Sequence, residues 1–159
     1  MRISVLVISG SMGAGKTTVL GEASDLLAAA GIAHAAIDVD GLSLGHFSED
    51  LTARNLAAVW RNFAAAGITR LLLAEADVNR ERIRQAVPGA EIIVCRLRAS
   101  VETMQQRVRV REPGMRRDEF VQRVAELEQR IGGEDFSVGN DGRDVTEVAR
   151  EVLTGAGWL

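Results

Sequence analysis

One segment constrains this chain more than any other: Gly10-Ser11-Met12-Gly13-Ala14-Gly15-Lys16-Thr17, which follows an apolar run from Ile3 to Ser9 and precedes a helical pattern. Two glycines, a lysine and a hydroxyl residue at this spacing define a phosphate-binding loop, the Walker A motif. Each residue type has a physical job. Gly10, Gly13 and Gly15 let successive backbone amides point inward toward phosphate oxygens, and the following helix adds its positive end. Lys16 reaches the β and γ phosphates. The Thr17 hydroxyl suits Mg2+, a cation that keeps several waters and takes few protein ligands. With this chain's own residue frequencies, chance yields roughly one such match per thousand sequences.

The basic residues sharpen the point. The chain has 18 arginines and one lysine, and that lysine is Lys16. A bias toward arginine explains positions where any solvated cation serves, and leaves one place where a compact point charge on a thin stem replaces the wide guanidinium fork. That exception implies a narrow anion pocket.

Composition narrows the class further. With 159 residues, 47% hydrophobic and 26% charged, the chain suits one globular domain spanning 1–159. A net charge of −3 offers no broad basic face, which speaks against nucleic acid and for a small-molecule partner, with a monomer or homodimer expected. Cys95 stands alone in an apolar run, Glu91 to Leu97, and reads as a buried, unreactive thiol of a reducing compartment. The opening run to Ile8 is too short for a secretory leader and ends in glycines. No apolar stretch approaches the ~20 residues that cross a bilayer, so a cytoplasmic protein without a membrane partner is expected.

Strand and helix patterns alternate along the chain. Strands are expected at Ile3 to Ser9, Ala33 to Val39, Ile68 to Ala74, Glu91 to Leu97 and Phe136 to Val138. Helices are expected from Thr17 to Ala30, Glu49 to Ala66 capped by Ser48, and Asn79 to Ala86, then from the Ser100 cap to about Glu112, from Asp118 to about Ile131, and from the Asp144 cap to about Thr154. Such alternation gives an α/β fold, a parallel sheet covered on both faces, with ligands at the carboxyl ends of the strands. The chemistry is therefore expected near Ser9, Asp38 to Asp40, Ala74 to Asp77 and Leu97.

The motif at Gly10 to Thr18 and its strand-to-helix setting resemble the P-loop kinases of the nucleoside-monophosphate kinase, shikimate kinase and gluconate kinase type. That resemblance implies a P-loop NTPase three-layer sandwich, a five-stranded parallel sheet in the order 2-3-1-4-5 and a short helical, arginine-rich lid at about residues 107–120. It implies ATP and Mg2+ as cofactors, with Gly10, Ser11, Met12, Gly13, Ala14, Gly15, Lys16, Thr17 and Thr18 around the nucleotide. Asp38-Val39-Asp40-Gly41 falls where gluconate and adenylylsulfate kinases carry an acidic pair beside the acceptor hydroxyl. Arg107 and Arg111 resemble the lid base of these enzymes, which would put Arg107 on adenine and Arg111 on the transferring phosphate.

The residues themselves allow a sharper division of labour. Phosphoryl transfer is mostly positioning and charge neutralisation, so the site still needs a group that orients an acceptor. Asp40 can accept or orient the acceptor proton, while Asp38 joins Thr17 as a metal partner, directly or through water. The catalytic set is then Lys16, Asp40 and Arg111, and the acceptor set is Asp38, Asp40, Arg54 and Glu75, with Asp77 beside it. Arg107 and Arg111 share a helix face at i, i+4 and Arg109 points elsewhere. Arg116 and Arg117 belong to a lid or to a charged turn. His34 is expected to be partnered in its strand, His46 is a weak candidate for substrate contact, and Trp60 and Trp158 pack. Asp38 to Gly41 also spells the Asp-x-x-Gly of regulatory GTPases, but a chain whose lone lysine sits in the phosphate loop has no Asn-Lys-x-Asp guanine signature.

The expected activity is transfer of the γ-phosphate of ATP to a small hydroxylated metabolite or antibiotic-like acceptor. A nucleotide-binding switch acting on a protein partner and a nucleoside or nucleotide kinase are the alternatives. An acidic pair with one candidate arginine, Arg54, disfavours an acceptor that already carries a phosphate.

Overall fold

The computed structural model describes residues 1–42, 45 and 48–159. His46 lies outside the described residues.

The first strand, β1 (Ser4–Ser9), carries the architecture because both its faces are buried. Leu6 and Ile8 point to a layer that includes Val19 and Leu27 of α1 (Lys16–Ala29) and Val148 and Val152 of α6 (Val145–Gly155). Val5 and Val7 point the other way, toward Leu56 and Trp60 of α2 (Glu49–Ala65) and Ile83 of α3 (Arg80–Ala86). Full burial of such a side chain stabilises by roughly 1.5–3 kcal/mol, so a strand packed on both sides anchors helix layers above and below.

The remaining strands are β2 (Ala35–Asp38), β3 (Arg70–Ala74), β4 (Glu91–Arg98) and β5 (Phe136–Gly139). All pair in parallel, in the order β2-β3-β1-β4-β5 expected for the family resemblance. Two strands start two residues later than their apolar runs suggest, and β1 starts one residue later, at Ser4. Ile32 N–H donates to the Leu27 carbonyl to close α1, and the His34 ring is engaged by Ser24 Oγ at 2.7 Å and the Ile32 carbonyl at 2.8 Å, so β2 begins only at Ala35. Ile68 N–H likewise turns back to the Phe63 carbonyl, delaying β3 to Arg70. In both places a helix end claims backbone groups that the ladder would use.

The helix starts follow their caps. Ser48, Ser100 and Asp144 each accept a first-turn amide, at 3.2, 3.1 and 3.3 Å. Asn79 does the same for Arg82 and so stands outside α3 rather than within it. After α4 (Val101–Arg111), the segment 112–116 leads into α5 (Arg117–Arg130), which packs on α4. α5 starts one residue ahead of the expected Asp118. Trp60 and Trp158 are buried, as is Cys95, whose thiol burial pushes up to about 12 and keeps protonated.

The strand order has a direct consequence for the site. The loop after β1 emerges at the middle of the sheet, with the ends of β3 and β2 on one side and those of β4 and β5 on the other. This is the switch point at which parallel sheets of this kind hold ligands.

Candidate active site

Gly15 ends the loop in a left-handed conformation, φ +96°, and stands before α1 without offering a side-chain cap. The first-turn amides of the helix therefore face the loop with no internal substitute for an anion. Two glycines are demanded by space as well as by dihedral angle. A Cβ on Gly13, φ +78°, would stand 2.4 Å from the Met104 carbonyl oxygen, and one on Gly15 would stand 2.4 Å from Asn140 Nδ2.

Those neighbours are part of the machinery that shapes the loop. Asn140, just past β5, donates from Nδ2 to the Ala14 carbonyl at 2.7 Å. Arg107 of α4 donates to the Gly13 carbonyl at 2.9 Å and to the Asn140 carbonyl at 2.7 Å. Ser11 turns its hydroxyl to Glu128 Oε2 of α5 at 2.6 Å, while Glu128 Oε1 accepts from the buried Arg96 of β4 at 2.7 Å. Arg96 also caps the end of α5 through the carbonyls of Glu128 and Ile131, at 2.9 and 2.8 Å. The Ser11 side chain is thus committed to the fold, which leaves its backbone for a nucleotide.

Lys16 folds back over the loop and donates to the carbonyls of Gly10 and Ser11 at 2.8 and 3.0 Å. Burial pulls its pKa down to about 8, opposed by the nearby Asp40 and reinforced by Arg111. Thr17 donates from Oγ1 to Asp38 Oδ2 at 2.8 Å, and Asp38 Oδ1 accepts from the backbone of Asp40 at 3.2 Å. Asp40 lies in a 3-10 turn, Val39–Leu42, directly after β2. Desolvation raises its pKa above the usual carboxylate range against the pull of Lys16. Thr18 is exposed in the first turn of α1.

A cavity of about 370 Å³ opens beside Lys16 and Thr17, walled by Asp40, by Glu75 to Asp77 after β3, by Arg82 of α3, by Arg111 of α4 and by Arg123, Leu127 and Arg130 of α5. It adjoins a second space of about 740 Å³ that shares Met12, Asp40, Glu75, Arg82, Arg111 and Arg123 and extends past Arg116 and Phe120 toward Gly45 and Glu49. Glu75 is 4% exposed and ion-paired with Arg82, yet its Oε2 has no hydrogen-bond partner among the described residues. A further cavity of about 600 Å³, between β5 and α6, shares no residue with these two.

The structure therefore brings Lys16, Thr17, Asp40, Glu75 and Arg111 to one wall, with Asp38 bonded to Thr17. It separates others that the sequence groups together. Arg107 and Arg111 share a helix face but serve different places, the first beneath the loop and the second in the cavity. Arg54 does not line either space; it pairs with Asp50 one turn earlier at 3.3 Å, both side chains largely in solvent. Arg109 is exposed and lines neither space. Arg116 lies over the Phe120 ring at 4.8 Å and rims the outer space, whereas Arg117 pairs with Asp118 at 3.8 Å.

Several site residues escape the sequence reading. Arg82, Arg123 and Arg130 line the cavity, where the sequence pointed to Arg54 alone. Their signal was present: Phe120, Arg123 and Arg130 fall at i, i+3 and i+10, a helix face beside the buried stripe of Val121, Val124 and Leu127 and meeting it at Leu127. Asn140 and Glu128 carry no local sequence signal, because their partners lie 126 and 117 residues away.

Among the described residues no cluster of three or more His, Cys, Asp or Glu side chains forms a metal site. Thr17 Oγ1 and Asp38 Oδ2, already in contact at the open edge of the loop, suit a hard cation that completes its shell with water and phosphate. No helix is long and apolar enough to cross a membrane, among the described residues.

No family model matches the chain, and no curated protein matches it in sequence. Solved structures do match over nearly its whole length. The APS kinase of Mycobacterium tuberculosis in complex with AMPPNP and APS is 21% identical, covers 98% of each chain and superposes with a TM-score of 0.67. A gluconokinase from Sinorhizobium meliloti is 21% identical over 99% of this chain and 94% of its own, with a TM-score of 0.62. The shikimate kinase of Acinetobacter baumannii in complex with shikimate is 18% identical over 97% and 93%, with a TM-score of 0.58. By the order of its strands and the placement of its phosphate loop, the chain has the fold of the P-loop kinases.

Proposed function

We propose that this protein transfers the γ-phosphate of ATP to a hydroxyl group of a small acceptor. One observation carries the reading: Lys16 and Thr17 of the phosphate loop share a cavity with Asp40, Glu75 and Arg111, residues of three other elements that a nucleotide-binding site alone would not need. The nucleotide is assigned to the loop from Gly10 to Thr18 and to the side of the sheet where Arg107 and Asn140 stand. The acceptor is assigned to the opposite side, at the ends of β2 and β3.

In this reading the acceptor oxygen bonds to the γ-phosphorus as the bond from that phosphorus to the β–γ bridging oxygen breaks, and ADP leaves. Asp40 takes the hydroxyl proton. A carboxylate whose pKa lies above the ordinary range is a better proton acceptor than a fully solvated one. The Lys16 ammonium and the Arg111 guanidinium hold the charge that develops on the phosphoryl oxygens, and they are placed before the reaction begins. Thr17 and, directly or through water, Asp38 would hold Mg2+, which would supply charge neutralisation for the polyphosphate. Of the acceptor candidates, Arg54 and Asp38 stand off the cavity wall, Asp38 reaching it only through its bond to Thr17.

The test is transfer of label from γ-labelled ATP, with Mg2+, to a library of small hydroxylated compounds. A labelled small product supports the reading. Label released only as inorganic phosphate, and only when a protein partner is added, would replace it with a nucleotide-driven switch.

A further inference from the structure

The phosphate loop is tied down from two directions. Arg107 and Asn140 hold the carbonyls of Gly13 and Ala14 from α4 and from the end of β5. The second tie comes from α5. Ser11, fully buried, donates its hydroxyl to Glu128 Oε2 at 2.6 Å across 117 residues of chain. Glu128 lines neither of the two spaces beside the loop. Any effect it has on a ligand must therefore pass through Ser11.

Ser11 is also where that effect reaches the charged group of the loop. Its carbonyl accepts from Lys16 Nζ at 3.0 Å and from the Ala14 amide at 3.1 Å. Hydroxyl and carbonyl belong to one residue, so holding the first steadies the peptide plane that presents the second. Glu128 is not free to follow a moving loop. Its Oε1 accepts from Arg96 at 2.7 Å, and Arg96 also grips the carbonyls of Glu128 and Ile131 that end α5. Arg96 stands on β4 opposite Ser9 of β1, the last residue before the loop. Both ends of the relay are thus referred to the same pair of central strands.

Cost separates this relay from ordinary packing. Arg96 is 5% exposed, and its Nε has no hydrogen-bond partner among the described residues. Apolar side chains would seat α5 on β4 without burying a charge or stranding a donor. They would give Ser11 no acceptor. We infer that Glu128 is a positioning residue for Lys16: backed by Arg96, it sets the Ser11 peptide on which the ammonium leans, and so fixes the ammonium before any phosphate arrives. The inference rests on the assignment of the nucleotide to the loop made above and is independent of the acceptor.

Because Lys16 is the single lysine, carbon-13 labelling of lysine gives one side-chain signal set from the whole protein. NMR reads its two ε-methylene protons, which have separate shifts when the ammonium is held and a common shift when the side chain rotates freely. Calorimetric titration with AMPPNP and Mg2+ reads the loop. Separate shifts and binding are expected of the wild type. Ser11→Ala, which removes only the hydroxyl oxygen, is expected to merge the shifts and to weaken AMPPNP by at least ~5-fold. Should that variant fail to fold, Glu128→Asp, which keeps a charge beside Arg96 and shortens the reach to Ser11, takes its place with the same expectation. Arg98→Gln is the control. It frees Glu134, which pairs with Arg98 at 2.8 Å and stands 3.8 Å from Arg96, and it spares the Ser11–Glu128 bond. Its shifts stay separate and its AMPPNP affinity stays within about twofold of wild type. A merged signal in the wild type, or separate shifts or unchanged affinity in Ser11→Ala, overturns the inference. So does an equal loss in Arg98→Gln, which would mark a general loosening of this corner. Wild type that binds no AMPPNP removes the nucleotide assignment itself, and this inference with it.

Discussion

The two sides of the phosphate loop are finished to different degrees. On the β4–β5 side, Arg107, Asn140 and the loop carbonyls satisfy one another in short hydrogen bonds, and glycines stand where any Cβ would collide. Around the cavity, a buried Glu75 oxygen has no hydrogen-bond partner among the described residues, and Arg123 and Arg130 of α5 make partly exposed ion pairs at 3.9 and 3.4 Å. A closed network holds one shape, which suits a cofactor that is always the same. A wall with unmet donors and acceptors is shaped for what it has to recognise, and that is where related folds are free to differ.

Breaking the shared point of both sides has the largest effect. Lys16→Met is expected to lower transfer by ~10³-fold, the cost of removing a preorganised charge from the transition state. The same variant separates stability from function. The ammonium has a folded pKa of about 8 against 10.5 when unfolded, so the unfolded chain holds more protons between those values. The Lys16 contribution to the stability of the nucleotide-free wild type therefore rises as pH climbs from about 8 to 10.5, by about 3 kcal/mol at most. The buried Cys95 thiol, raised to about 12, acts with the opposite sign above about 9, so denaturant melts between pH 8 and 9 should show the rise in the wild type and none in Lys16→Met.

Asp40→Asn acts on the open side alone. Transfer is expected to fall by ~100-fold while calorimetry shows AMPPNP binding retained, and unchanged turnover would remove Asp40 from the chemistry. Arg107→Ala is the matching cut on the closed side. It deletes two hydrogen bonds to loop-shaping carbonyls, so nucleotide affinity should weaken by ~10-fold with acceptor KM little changed. The smallest effect belongs to Arg54→Ala, where an exposed pair with Asp50 is worth a few tenths of a kcal/mol; acceptor KM within twofold of wild type is expected, and a tenfold rise would return Arg54 to the acceptor site.

The same division explains what could be read from the sequence. The closed side is local in its logic: glycines, lysine and threonine within eight residues announce the loop, and the apolar runs give the strand order's raw material. Helix caps at Ser48, Ser100 and Asp144 were legible because a cap acts within three residues. The open side is assembled from β2, β3, α3, α4 and α5, and a pattern in one element says little about what another brings opposite it. Arg54 and Arg82 illustrate this: both are surface-type arginines on helices in the sequence, and only the packing of α3 turns Arg82 inward to Glu75 while α2 leaves Arg54 in solvent. Asn140 and Glu128 were invisible for the same reason.

The solitary lysine has a practical corollary. Apart from the α-amino group, the protein offers one primary amine to acylating reagents, and its lowered pKa makes that amine unusually nucleophilic near pH 8. Covalent tagging at the side chain, read apart from the α-amino group, would therefore report on the phosphate loop, and the degree to which a bound compound shields it would give an occupancy readout that needs no knowledge of the reaction.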